Sequence, residues 1–175
     1  MPEYKEDFKK NYSEDAKKSL LGKKVEERLE FITEIETAQE EGPQIGDVLP
    51  EFKGMTVDGE ELNLTTYLKD KKVVLVDVWA SWCGPCRAEN PNLVKTYEAF
   101  HKRGFDIIGY SLDKDDASWR KAIEADKLTW TQVSNLKFWQ DPIVEDYGIC
   151  GVPASFLIDN KGVVLAKDLR GEELN

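Results

Sequence analysis

Cysteine and histidine are scarce in this chain: 175 residues hold three Cys and one His. Three cysteines are too few to staple a disulfide-built scaffold. A zinc centre expects four ligands. Beyond the one Cys-x-x-Cys pair only Cys150 and His101 remain to complete it, which disfavours a metal. Positive charge is short as well. Lys and Arg number 24 against 34 Asp and Glu, a formal net charge of -10. No basic patch offsets that balance, so nucleic acid and anionic membrane are excluded as general partners, since phosphate binding draws on clustered cations. Long apolar runs are also missing. The longest, Val73 to Ala80, is interrupted by Asp77 and falls far below the roughly 20 residues that span a bilayer. The opening MPEYKEDFKKNYSEDAKK lacks the apolar core of a signal peptide, so the chain is expected to be cytoplasmic or the trimmed part of an exported precursor.

What the chain does contain is organised around Trp82-Cys83-Gly84-Pro85-Cys86. The apolar run Val73 to Trp79 before it reads as a buried strand, and Ala88 to Lys102 after it has helical spacing in Leu93, Tyr97 and Phe100. A dithiol redox centre needs this layout. The N-terminus of a helix carries unsatisfied N–H groups and partial positive charge, which favour a thiolate over a thiol. Cys83, at or just before the cap, is the expected nucleophile. Cys86, one turn further in, is expected to be more covered and to resolve the mixed disulfide. Pro85 suits the first turn because the N–H it lacks would have been orphaned there.

Residues 4–41 are dense in Lys and Glu, without Pro, and place Phe8, Tyr12, Leu21, Val25, Leu29, Ile32 and Ile35 at helical intervals. One or two amphipathic helices are predicted, with Gly22 as the dividing point. They would form a helical linker, a packing arm or an oligomerisation segment. Glu41 to Gly46 is punctuated by Gly and Pro, so residues 1–42 are read as an N-terminal extension and 43–175 as one domain. Phe52 to Val57 and Glu60 to Leu64 flank Asp58-Gly59 and predict a hairpin with a tight turn. Tyr67 to Lys72 reads as a helical turn and loop. Strand, helix, strand, helix then alternate through Ala125, which implies parallel pairing with right-handed crossovers. A short strand at Trp130 to Ser134, a helix at Pro142 to Tyr147 and a hairpin around Asp159-Asn160-Lys161-Gly162 follow. The sheet is therefore mixed. Gly171 to Asn175 reads as the opening of a truncated helix.

Val76 to Arg87, taken with Tyr147-Gly148-Ile149-Cys150-Gly151-Val152-Pro153, resembles the thioredoxin superfamily. The hairpin at Asp58-Gly59, the run Cys86-Arg87-Ala88-Glu89-Asn90-Pro91 and Phe156 to Gly162 narrow the resemblance to thiol-disulfide oxidoreductases similar to TlpA and ResA. It covers residues 43–175. The resemblance implies an α/β thioredoxin-like fold, a central mixed sheet flanked by helices, with an added N-terminal hairpin. It also implies a Cys83/Cys86 dithiol that reduces protein disulfides at the expense of an external thiol or dithiol donor. No flavin, nucleotide, metal or other cofactor is called for. The related proteins usually lie in the cell envelope or periplasm, which sets the expected compartment.

Asp77 matches the buried acid of thioredoxins that moves a proton at the resolving cysteine, and burial among Val and Trp should raise its pKa; the alternative is a solvated strand face. Thioredoxins often pair that acid with a Lys on the neighbouring strand, where this chain has Gly109. Glu89 matches an acid near the active site of the narrower group, against the alternative of a plain surface carboxylate. Pro91 matches a helix kink of the family. In the family the peptide bond corresponding to Val152-Pro153 is cis and faces the dithiol, leaving the Val152 backbone for an extended substrate segment. Together with Trp82 as an apolar rim and Gly84-Pro85 between the cysteines, these form the expected substrate contact. Cys150 is either redox-active or a buried small hydrophobe. Trp79, Trp119, Trp130 and Trp139 are read as packing, and His101 as a dipole partner at the helix end. Two other functions compete. A peroxiredoxin-like peroxidase would carry a Thr three residues before its reactive Cys, where this chain has Ala80; a redox-linked client-binding module would not need turnover.

Overall fold

The computed structural model describes residues 3–174. The chain divides into two compact units, Met1–Glu41 and Gly42–Asn175. In the first, the helices are α1 (Glu3–Asn11), α2 (Glu14–Lys18) and α3 (Leu20–Glu41). Three helices form where one or two were predicted, and the breaks fall at serines. Ser13 caps α2 through its Oγ, which accepts from Ala16 N at 3.2 Å, and Ser19 ends it. Such hydroxyls compete with the helix for backbone partners, which is why they sit at its ends. Gly22 does not divide the segment. It lies within α3, where a Cβ would stand 2.2 Å from the Ala16 carbonyl oxygen, so the missing side chain is what lets α2 approach α3.

The second unit carries one seven-stranded sheet in the order β2-β1-β5-β4-β3-β6-β7. The strands are β1 (Lys53–Thr56), β2 (Glu61–Asn63), β3 (Val73–Trp79), β4 (Phe105–Ser111), β5 (Thr131–Ser134), β6 (Ala154–Asp159) and β7 (Val164–Lys167). β3, β4 and β5 pair in parallel, and the outer pairings are antiparallel. The helices are α4 (Leu64–Tyr67), α5 (Gly84–Phe100), α6 (Asp116–Asp126) and α7 (Pro142–Asp146). This is the mixed α/β sheet that the alternation of elements implied. Two details differ. Thr56 O accepts from Gly59 N at 3.0 Å and Thr56 N bonds Glu60 O at 2.9 Å, so Val57-Asp58-Gly59 makes a three-residue loop instead of a two-residue turn. Gly59, at φ 80°, takes the left-handed position that such a loop requires. Gly171–Leu174 is a 3₁₀ turn, where an α-helical opening was expected.

β3 is apolar but for Asp77 because both of its faces are covered, as in parallel sheets generally. Val74, Val76 and Val78 join Ile108, Tyr110 and Phe156 on one face. Leu75 and Trp79 pack with Ile107, Leu93 and Trp119 on the other, the face that carries Cys83 and Cys86. Burying each such aliphatic side chain contributes about 2 kcal/mol. Asp115 caps α6 by accepting from Ser118 N at 2.8 Å.

Candidate active site

The chain leaves β3 at its C-terminal end, and Ser81 anchors the turn: its N–H and hydroxyl donate to the buried Asp113 carboxylate at 2.9 and 2.5 Å. Cys83 is the N-cap of α5, and its Sγ accepts from Cys86 N at 3.1 Å. One orphan donor of the helix terminus is thus aimed at the sulfur that would carry the negative charge of a thiolate. Pro85 lies in the first turn, and Gly84 has open space where a Cβ would stand. Cys83 and Cys86 form a disulfide, with S–S 1.98 Å and Cα–Cα 5.3 Å. Cys86 is covered as expected, at 2% exposure, but Cys83 is scarcely less so at 4%. The Val152 carbonyl oxygen lies 3.6 Å from Cys83 Sγ. The Val152-Pro153 bond is cis.

Arg87 and Asn90 secure the first turns of α5. Arg87 donates to both carboxylate oxygens of Asp126 at the end of α6, Asn90 adds a bond at 2.6 Å, and these partners hold the Asp126 pKa low despite its partial burial. Trp82 is half exposed. Its ring meets Phe138 at 5.4 Å and Trp139 at 6.2 Å, so Trp139, read from sequence as packing, also belongs to the rim beside Cys83. Phe138 holds φ at 55°, a conformation unusual for an aromatic residue, and Lys114 Nζ stands 5.7 Å from its ring centre. Trp119 and Trp130 are core, as expected.

Beneath the dithiol, one row of side chains crosses the sheet. Asp77 on β3 is in register with Gly109 on β4 and Ser155 on β6, and Gly109 with Gln132 on β5. Asp77 is buried on the α5 face, at 5% exposure, which removes the solvated-face alternative. Desolvation pushes its pKa from the ordinary 3.8 up to about 7; Arg170 pulls it down and Glu89 pushes it further up. Gln132 lies across Gly109 and accepts from Trp79 Nε1 at 3.1 Å. Glu89 is half buried. Its Oε1 accepts from Gly171 N and from Asn92 Nδ2, both at 2.9 Å, so it is no free surface carboxylate. Arg170, Phe138 and Gln132 were not anticipated. Two left-handed non-glycine residues, Leu136 and Phe138, leave no mark in the sequence, and Arg170 reaches the site only because the chain returns after β7. Cys150 stands outside the disulfide; its thiol donates to Gly148 O at 3.7 Å, and burial raises its pKa. That direction works against a thiolate there.

A helix-capping disulfide above a buried carboxyl, at the end of a central strand and beside a cis proline, defines a dithiol redox protein of thioredoxin-like fold. Comparison with known proteins agrees. The AhpC/TSA family matches residues 45–167, and the chain belongs to that family. It is 31% identical over 120 residues to the thiol-disulfide oxidoreductase ResA of Geobacillus thermodenitrificans, spanning 69% of this chain and 66% of that protein. The thioredoxin domain of a thiol-disulfide oxidoreductase from Bacteroides vulgatus superposes with TM-score 0.70 at 42% identity, covering 75% of this chain and 92% of that one. A thiol:disulfide interchange protein from Bacteroides sp. gives 0.68 at 40%, with coverage of 75% and 86%. The protein is a thiol-disulfide oxidoreductase, an enzyme that exchanges electrons between disulfides and thiols. Among the described residues no helix is long and apolar enough to cross a membrane.

Proposed function

We propose that the protein reduces disulfides in protein substrates, with Cys83 as nucleophile and Cys86 as resolving thiol. The observation that carries this is the disulfide itself, at the N-terminus of α5 with an N–H of the first turn on Cys83 Sγ. In the reduced enzyme the Cys83 thiolate attacks a substrate disulfide, forming a mixed disulfide and releasing one substrate thiolate. Cys86 gives its proton to Asp77, and its thiolate attacks Cys83 Sγ. The Cys83–substrate bond breaks, its electron pair leaves with the second substrate thiolate, and the Cys83–Cys86 disulfide closes. Two electrons have passed to the substrate, and an external thiol or dithiol donor restores them. Glu89, one turn beyond Cys86, is a second proton carrier for the same site.

The extended substrate segment lies along Val152 and Pro153, where the Val152 carbonyl is already at the sulfur, and Trp82, Gly84 and Pro85 form the floor it crosses. Phe138 and Trp139 extend that rim. The cell envelope is the proposed compartment, supported by the resemblance to the TlpA and ResA group. The test is single-turnover reduction of insulin by the pre-reduced enzyme, with alkylation of each cysteine read by mass spectrometry. Cys83 and Cys86 should become oxidised together, one pair per disulfide reduced, while Cys150 stays a thiol. Cys86→Ser should accumulate a Cys83–insulin adduct. Stoichiometric peroxide consumption without an added disulfide would reject the reading in favour of a peroxidase, and a Cys83→Ser, Cys86→Ser variant with undiminished client function would reject it in favour of a binding module.

A further inference from the structure

A carboxyl that must accept a proton from a thiol and pass it on has to be held between two failures. Buried without a counter-charge, it stays protonated and cannot act as a base; paired tightly with a cation, it stays ionised and has too little affinity for the proton. The groups facing Asp77 decide which applies. β4 offers Gly109, without a side chain, and the polar end of Gln132 fills that space from β5. β6 offers the neutral Ser155. α5 offers Glu89, a negative charge, and Cys86, a thiol in the reduced enzyme, packs on the same face of the sheet. The turn after β7 offers Arg170. In that set Arg170 alone is positive.

Its guanidinium is held from several sides. Arg170 Nη1 donates to Ser155 Oγ at 2.9 Å and to the Leu169 carbonyl at 2.8 Å, and Nη2 stands 4.0 Å from Asp168 Oδ1. Asp168 is itself fixed to β6, accepting from Ser155 N at 3.0 Å through its side chain and donating its own N–H to Ser155 O at 2.8 Å. Arg170 N donates to Glu173 Oε2 at 3.3 Å, and the next residue, Gly171, donates its N–H to Glu89. One short turn therefore clips to β6 through Ser155 and to α5 through Glu89. Ser155, fully buried and in register with Asp77, brings the guanidinium to the same sheet face as the carboxyl.

We infer that Arg170 is the counter-charge of Asp77, a positioning residue that keeps the carboxyl able to take the Cys86 proton, a role that rests on the dithiol mechanism proposed above. Burial is the larger influence on Asp77 and raises its pKa, Arg170 is the next and lowers it, and Glu89 raises it again. In the step concerned, Cys86–SH and the Asp77 carboxylate become a Cys86 thiolate and a protonated Asp77; the thiolate then displaces the substrate thiolate from Cys83, and no electrons pass through Arg170. The proton returns to solvent after the disulfide closes. Loss of the cation makes Asp77 harder to ionise, so the reaction needs a higher pH.

The experiment is the pH profile, from 5 to 9, of single-turnover insulin reduction by pre-reduced wild type, Arg170→Gln, Arg170→Lys, Ser155→Ala, Asp77→Asn and the Asp77→Asn, Arg170→Gln double variant. Arg170→Gln should move the Asp77-linked inflection up by about one pH unit, the lower end of what a nearby opposite charge supplies, since the guanidinium is partly exposed. Arg170→Lys should restore it. Ser155→Ala, which loosens the guanidinium without removing its charge, should shift the inflection the same way but less, and serves where Arg170→Gln folds poorly. In the Asp77→Asn background the Arg170 change should shift nothing further. A wild-type profile in both Arg170→Gln and Ser155→Ala, or a full shift persisting without Asp77, overturns the assignment of Arg170. An Asp77→Asn profile identical to wild type instead overturns Asp77 as the base, and the two failures are told apart by that one variant.

Discussion

Replacing Asp77 with Asn should make the oxidised protein more stable, and increasingly so as the pH rises. Folded Asp77 keeps its proton up to about 7, because burial at 5% exposure penalises the charged form, whereas the unfolded carboxyl releases its proton near 3.8. Between those values the folded state binds more protons than the unfolded, so the stability that protonated Asp77 allows is complete below 3.8 and is lost as pH rises through 7. At 1.36 kcal/mol per pH unit, a rise from 3.8 to about 7 corresponds to roughly 4 kcal/mol. Asn cannot ionise and escapes this loss. The gain of Asp77→Asn over wild type, measured by urea unfolding at pH 4 and again at pH 8, should therefore grow by about 3 to 4 kcal/mol. Comparing the two pH values cancels any fixed difference between Asn and protonated Asp in hydrogen bonding. The oxidised form is used so that the dithiol does not titrate. A gain equal at both pH values would refute the burial argument, for it would mean that the carboxylate is solvated or fully compensated in the folded state.

Phe138→Gly should change folding stability by less than about 1 kcal/mol, because relief of the left-handed backbone, worth about 1–2 kcal/mol, offsets the lost ring contact with Trp82. Phe138→Ala keeps the strain and loses the ring, so it should melt below the Gly variant. Both should raise KM for insulin about two- to tenfold if the rim docks substrate; an unchanged KM removes Phe138 from the substrate contact. Gly109→Ala would place a Cβ 2.3 Å from Gln132 Oε1. Gln132 must then swing away and leave the buried Trp79 Nε1 without its acceptor, destabilising the fold by about 1–3 kcal/mol in thermal or urea unfolding; a wild-type midpoint would show that Gln132 has another place to go.

The residue order alone determined the central strand, the capped helix that follows it and the placing of Cys83 at the cap of α5 and Cys86 in its first turn, because these depend on local chemistry: an apolar run, a proline in the first turn, a helix terminus. The burial of Asp77 and the cis bond at Pro153 were legible through a resemblance carried by short runs. The N-terminal helices show where local reading fails. Gly22 has the lowest helix propensity of its segment and still lies inside α3, because the close approach of α2 leaves no room for a Cβ. Only the tertiary structure decided how the charges around the buried acid are balanced. Gly109 announced that the neighbouring strand brings no cation, yet nothing in the run Asp168-Leu169-Arg170-Gly171 says that its arginine supplies one. That follows from the antiparallel pairing of β6 with β3, which puts Ser155 opposite Asp77, and from a turn clipped to β6 and α5 at once. The aromatic rim is decided the same way, by backbone dihedrals at Leu136 and Phe138 that long-range packing imposes against local preference.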